Sequence, residues 1–588
     1  MTALIVARAV HYAAAVQLFG GLLFVLSILP ARMADRLPRF QRWLRSLLLG
    51  SAVVALVSWL AWLVFVVDDI TGSSGAAIDP HAVMRMLSAT AFGHVWLLRA
   101  ALYVLVLAML ASTRAMIARG RIYLLAAAIV AGVAIASLAG SGHAAAQTDW
   151  AKPIAIGSDA LHLLGAGAWL GALLPFAFAL FATTSPAAAE RVARRFSAMG
   201  IAAVVVIIAS GILDSTYLVA SWPGLLGTPY GHWLLVKLAL LACMLMLAAA
   251  NRRGTPSLGL GNGAAAQANR RIARNASIEA AFGAGVLAIV AVLGASTPAA
   301  HEQPYWPLPF RLVFGDGMPT VVRAYPTSFV EPPVRYTATA IAQGLRLYER
   351  HCVSCHGLDG HGDGVAAATL TPHPADFTSA HVLAHTPGDL FWWISHGIEG
   401  TAMPGFAATL DEQQRWELVH VLRTMADAHQ LDASPTAAAI AAPAFTYQID
   451  DQPQATVPQV HPVAATLIVL YTLPSSARRL AELAEASHEM QSNRIRIVAL
   501  SLAAGEGSGN PQADAASASP DVITAYRLLT NSPHHAVTHV EFLVDKDGWL
   551  RARWIASASP SIDALIRLVN TLPQVRSGMG AAAHAHHP

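Results

Sequence analysis

Up to about residue 300 the chain alternates long apolar runs with short polar breaks. The runs lie near 4–29, 46–67, 92–111, 122–141, 154–182, 199–219, 232–250 and 277–297, and nearly every charge falls between them. Each is long enough to cross a hydrocarbon core, which needs about 20 helical residues. The pattern predicts an all-α polytopic membrane bundle of eight spans over residues 1–300. From 301 to 339 a proline- and aromatic-rich connector begins with "HEQPYWPLPF". Residues 340–429 read as a compact helical domain, with Ala342, Leu345 and Tyr348 recurring on one face. A small-residue linker is expected over 430–459, "ASPTAAAIAAPAF" within it, then an α/β domain over 460–573 and a flexible tail over 574–588.

The charges orient the bundle. "ARMADRLPRFQRWLR", "STRAMIARGR", "ERVARR" and "NRRIAR" follow the first, third, fifth and seventh runs, whereas the alternate breaks are nearly neutral. By the positive-inside rule the arginine-rich loops face the cytoplasm, so both ends of the bundle and everything after residue 300 are expected outside. The first run is too long for a signal-peptide core and reads as a retained helix. Charged residues make up 12% of the chain and the net charge is +3, which excludes a nucleic-acid surface.

Three cysteines occur in 588 residues, and two of them stand in "HCVSCH", residues 351–356. Cys-x-x-Cys-His is the spacing of haem attachment: Cys352 and Cys355 reach the two vinyl groups on one porphyrin edge, and His356 turns onto the iron. A second axial ligand is needed, and Met403 in "GTAMPGF", 47 residues after His356, offers a soft thioether in an irregular turn. A redox dithiol or a zinc site competes for the same cysteines, but the pair ends a helical run and no third and fourth ligands are evident. His361, His373, His381, His385 and His396 read as packing or surface residues.

Residues 340–429 resemble a class I cytochrome c through "LYERHCVSCHGLDGHGDG", "GTAMPGF" and "LDEQQRWELVHVLR". The resemblance implies one covalent haem c on Cys352 and Cys355, iron ligation by His356 and Met403, and single-electron transfer in the compartment outside the membrane.

His11, His94, His143, His162 and His232 lie in or beside five spans, all toward the outer end. Histidine within lipid is costly unless it is bound or paired, so the five are candidate ligands for copper or haem b. Cys243, Met244 and Met246 are soft side chains that read individually as packing. "GSGHAAA", "DALHLLGAGAWLGALLPF" and "TPYGHWLLVKLALLACMLMLAAANR" resemble the copper resistance protein D family of bacterial inner-membrane proteins. That resemblance implies copper handling, with His143 and His162 the best carried-over ligands.

Residues 460–573 carry a βαβα-ββα order, with a turn at Asp547-Gly548, and resemble the thioredoxin-like fold of periplasmic copper metallochaperones and peroxiredoxins. Where those proteins place reactive cysteines this chain has Leu473, Pro474, Ser475 and Ser476, so the domain reads as a scaffold without thiol chemistry. No elbow motif makes either serine a nucleophile. Expected partners are periplasmic or membrane redox proteins, copper-binding proteins and lipid. Two functions are expected: a copper transporter with an attached electron carrier, or a redox carrier with haem b in its bundle. An electron carrier or transporter is expected ahead of a catalytic enzyme.

Overall fold

The computed structural model describes residues 2–30, 37–71, 79–112, 121–147, 151–260, 263–313, 318–379, 382, 384–433, 440–449, 455–458, 463–502, 516–530 and 537–572. His381, the tail and its histidines His584, His586 and His587 lie outside the described residues. The chain divides into two compact units, Met1–Pro304 and Tyr305–Pro588.

In the first unit, eight helices among the described residues are long and apolar enough to cross a membrane. They are α1 (Thr2–Ile28), α2 (Pro38–Asp68), α3 (Ala91–Ala111), α4 (Arg121–Ser141), α5 (Lys152–Ala182), α6 (Pro186–Leu218), α7 (Pro229–Leu258) and α8 (Gly263–Leu293). α2, α6 and α8 begin well before the apolar runs that predicted them, because segments such as "PAAAERVARRF" start the helix on strong helix formers ahead of the apolar pattern. α1 and α5 are the most enclosed spans and α7 the least. α1 and α5 cross on glycine: a Cβ at Gly20 would sit 2.3 Å from the Gly167 carbonyl oxygen, and one at Gly171 2.0 Å from that of Val16. With no burial of apolar surface from water to drive helices together in lipid, such backbone contact supplies the packing.

The second unit opens with a hairpin, β1 (Phe310–Val313) against β2 (Thr320–Arg323). Helices α9 (Ala338–His351), α10 (Pro387–His396) and α11 (Glu412–Ala433) then enclose a core that includes Ile341, Tyr348, Phe391 and Trp416. α9 and α11 touch through Gly344, where a Cβ would stand 2.3 Å from the Glu417 carbonyl oxygen.

The remainder carries two sheets. The larger has the order β3 (Ile440–Ala441), β10 (Trp549–Ile555), β9 (His539–Asp545), β6 (Ala465–Tyr471) and β7 (Ile495–Ser501). β6 and β7 run parallel, and the other pairs are antiparallel. The smaller has the order β5 (Ala455–Val457), β4 (Phe445–Ile449) and β8 (Ala516–Ala518). Every residue of β6 and β9 is buried, because helices α12 (Ala477–Glu485), α13 (Pro520–Leu528) and α14 (Ile562–Thr571) join apolar layers on both faces.

The segment expected to be a linker contains β3 and β4. Ala338 N–H donates to the Ala444 carbonyl at 2.9 Å and Tyr526 Oη to that of Pro443 at 3.0 Å, tying it to α9 and α13. Ile341 and Val421 share one apolar cluster with Phe445, Tyr526 and Phe542. Arg553 reaches from β10 to Asp432 and the carbonyl of Ala428 on α11. The helical and sheet regions of this unit therefore pack as one body.

Candidate haem centre and membrane site

Thr337 caps α9 by accepting from Ala340 N–H at 3.1 Å, and the helix delivers Cys352 at its end. A further turn, Val353–His356, places His356 under Cys352, whose carbonyl accepts its N–H at 2.9 Å. Gly357 then turns the chain away with φ +77°, a conformation that side chains with a Cβ rarely adopt. Buried Tyr348 donates its hydroxyl to the Gly357 carbonyl at 2.8 Å and locks the turn.

His356 is buried and its Nδ1 donates to the Ala375 carbonyl at 3.0 Å, which leaves Nε2 with its lone pair for a metal. Phe377 stacks on the ring at 4.2 Å. Burial lowers the imidazole's pKa, so the ring stays neutral as a ligand must. Burial, with the neighbouring Cys355, pushes the Cys352 thiol up to about 12. A redox dithiol needs the opposite shift, and the donor set therefore fits thioether attachment of haem.

Met403 sits in a loop pinned to the end of α10: its N–H donates to Thr401 Oγ1 at 3.1 Å, and Phe406 N–H to the Ile394 carbonyl at 2.8 Å. His396 is committed to its own helix, stacking on Trp392 at 3.8 Å.

The connector is part of this domain. Asp389, inside the capping box of α10, accepts from Ser328 and from Arg311 at 3.0 Å, and Thr327 donates to the Gly388 carbonyl at 2.7 Å. Burial raises the Asp389 pKa, but the hydrogen bonds and Arg311 outweigh it and hold the carboxyl below the usual range. Its contribution is therefore full above the unfolded carboxylate value and lost as pH falls through the lowered folded one. Asp389→Asn is expected to destabilise the unit at pH 7 by about 2 kcal/mol. Thermal melts should show the gap from wild type closing below about pH 4.

In the bundle the five histidines do not form one site. His11 is buried, with Nδ1 3.1 Å from both the Ala55 carbonyl and Ser58 Oγ, and Nε2 3.2 Å from Tyr103 Oη. His162 Nδ1 meets Ser210 Oγ at 3.0 Å, and His143 Nε2 the Leu293 carbonyl at 3.3 Å. His94 and His232 are exposed and bond the carbonyls of Ser88 and Leu226. Among the described residues no three His, Cys, Asp or Glu side chains group as a metal site. Each of the five instead meets a backbone or hydroxyl group through at least one ring nitrogen. A cavity of about 270 Å³ in the bundle lies at the opposite end, beside Trp169, Phe196, Asn251 and Glu279.

The partners reveal an internal repeat that hydropathy alone does not show. "RAVHYAAAVQLFGGLL" in α1 matches "DALHLLGAGAWLGALL" in α5, with histidine nine residues before the crossing glycine in both. His11 meets Ser58 on α2 as His162 meets Ser210 on α6. Thr90 caps α3 by accepting from Gly93 N–H, as Thr228 caps α7 by accepting from Gly231 N–H, and each glycine precedes a histidine. Arg99 and Lys237 follow those histidines by five residues. Spans α1–α3 and α5–α7 thus repeat one pattern, and the offset of four spans gives both the same direction. Arg8, Arg99, Asp159, Asp214 and Lys237 went unnoticed in the sequence; aligning the two halves would have shown four of them.

Copper resistance protein D of Pseudomonas syringae pv. tomato is 32% identical over 305 residues, 50% of this chain and 96% of the relative. The chain belongs to the copper resistance protein D family. Family models agree: "Copper resistance protein D-like, N-terminal domain" matches residues 1–153 and "Copper resistance protein D" residues 190–293. The copper transport protein CutJ of Bacillus subtilis (strain 168) is 31% identical over 40% of this chain and 42% of its own length. The inner membrane protein YebZ of Escherichia coli (strain K12) is 29% identical over 42% of the chain and 81% of its own. Residues 339–420 match the model "Cytochrome C oxidase, cbb3-type, subunit III", so a cytochrome c domain, with the covalent haem it implies, follows the family's membrane domain.

Ser476, one of the serines standing where the sequence resemblance leads one to expect thiols, is buried, donating to the Thr538 carbonyl at 3.1 Å and lying 3.0 Å from His539 Nδ1. His539 Nε2 contacts Glu541 at 3.1 Å, and Arg479 donates to the same carboxylate at 2.7 Å. Burial raises the Glu541 pKa, and these bonds outweigh it and hold the group below its usual value. Both nitrogens of His539 are engaged and Ser476 is enclosed, so the arrangement braces β9 against α12.

Proposed function

We propose that this protein handles copper at the bacterial inner membrane and passes single electrons through its cytochrome domain on the periplasmic side. The observation that carries the reading is the haem donor set of Cys352, Cys355, His356 and Met403 on the same chain as a copper resistance protein D membrane domain. Haem iron, when bound, supplies reversible one-electron chemistry. The chain's own part would be to hold the iron with a neutral, oriented His356 and a pinned Met403. The arginine-rich loops support a cytoplasmic face for the odd-to-even connections and a periplasmic face for both ends. The order β10-β9-β6-β7, with only β6 and β7 parallel, supports a thioredoxin-like reading of the last region. Its buried serine and shared core with the cytochrome helices favour a rigid docking support over thiol chemistry. The histidine of each repeat is the best candidate for a transient copper contact, since among the described residues no three His, Cys, Asp or Glu side chains group as a metal site.

The test separates the two halves of the proposal. Cells carrying the protein are expected to differ from vector controls in copper content during copper exposure. Met403→Ala should keep the covalent haem, lose the weak absorption that thioether ligation gives ferric haem at the red end, lower the potential, and reduce the copper effect at least twofold. Unchanged copper content with wild type would defeat copper handling. An undiminished effect with Met403→Ala would defeat the coupling to electron transfer.

A further inference from the structure

The two repeats carry opposite charges at one matched position and like charges at another. Arg8 in α1 stands where α5 has Asp159, while Arg99 in α3 and Lys237 in α7 are both cationic. Lys237 has the carboxylates of Asp159 and Asp214 as charged neighbours, though among the described residues neither lies at ion-pair distance. Arg99 has none. It is fully buried, bonds only Ser137 and Ser141, and among the described residues no carboxylate lies within ion-pair distance of Arg99 or Arg8.

Around this unbalanced charge are N–H groups with nothing to bind. Arg99 Nη1, Arg8 Nε, Trp62 Nε1 and Trp96 Nε1 are buried without hydrogen-bond partners. They belong to one cluster: the guanidinium carbons of Arg8 and Arg99 stand 5.2 and 5.8 Å from the Trp62 ring centre, and the Trp96 ring lies 4.9 Å from that of Trp62. Stacking of arginine on indole offsets only part of what an unpaired buried ion costs. Each orphaned donor adds to that deficit.

We propose that this cluster of unpartnered donors, at the end of the bundle where α1 begins, binds a small monovalent anion, a halide or a simple carboxylate. The anion supplies to the first repeat the negative charge that Asp159 and Asp214 supply to the second. It accepts from Arg99 Nη1, with the Trp62 and Trp96 N–H groups and Arg8 Nε as the further donors, and the aromatic wall excludes water and larger ions.

The experiment uses the full-length protein in a neutral detergent, titrated separately with sodium chloride and sodium formate at an ionic strength held with sodium sulfate, while thermal unfolding is followed. A saturable rise in Tm is expected; a response to chloride alone identifies a halide site, to formate alone a carboxylate site, and to both a site for the shared class. Arg99→Gln should weaken the response at least tenfold. Trp62→Phe keeps the ring and removes one donor, so it serves if Arg99→Gln fails to fold, and should weaken it at least threefold. Arg194→Gln, at an exposed ion pair, should change nothing. No saturable response to either ion, or one unaltered in both cluster variants, overturns the proposal. So does a phospholipid retained by wild type and lost from Trp62→Phe, because a lipid phosphate would then be the occupant.

Discussion

Replacing Cys352 and Cys355 together with alanine is expected to leave the full-length protein with no covalent haem, so that haem staining after denaturing electrophoresis labels the wild-type band and not the variant. The two thiols are the only attachment points available, since Cys243 belongs to α7 in the membrane unit. Neither forms a disulfide, and the neutral Cys352 thiol is poorly suited to exchange or zinc binding. Loss should be complete because no second Cys-x-x-Cys-His occurs in the chain. Haem remaining on the variant, or absent from wild type in cells that mature c-type cytochromes, would defeat the assignment of the centre.

The second large effect is expected at Gly344. Valine there would drive its Cβ into backbone, 2.3 Å from the Glu417 carbonyl oxygen and 2.6 Å from its carbon, with the Val421 side chain at 2.9 Å. Backbone atoms of α11 cannot move aside as a flexible side chain would, so α9 and α11 must separate. Overpacking of this kind costs about 3 kcal/mol or more. α9 carries Cys352 at its end and also packs on α13, so the strain should reach both the haem centre and the sheet. Gly344→Val is expected to lower the haem yield severalfold and the melting temperature of the remaining holoprotein, read from the haem absorption. A yield and melting point matching wild type would show that the helix crossing tolerates separation.

Much of this molecule is legible along the chain because its strongest determinants are local. A run of apolar residues long enough to span lipid must be a helix, since unpaired backbone groups cannot remain in hydrocarbon. Cys352, Cys355 and His356 are set by the pitch of a single turn, and Met403 by an irregular loop that no helix could accommodate. The order of strands and helices after residue 460 followed from alternation and turn residues in the same way.

The rest depended on which elements meet. The five membrane histidines share a depth in the sequence, but depth does not say what faces each ring; Ser58, Ser210 and backbone carbonyls proved nearer than any other histidine. The segment at 440–449 lacks a strong periodic pattern, and it became strand because α9, α13 and β10 offered it partners. The repeat was written in the sequence at His11 and His162, yet its meaning lay in the unequal surroundings of Arg99 and Lys237. Burial and charge balance are sums over several helices, and only the packed structure carries them out.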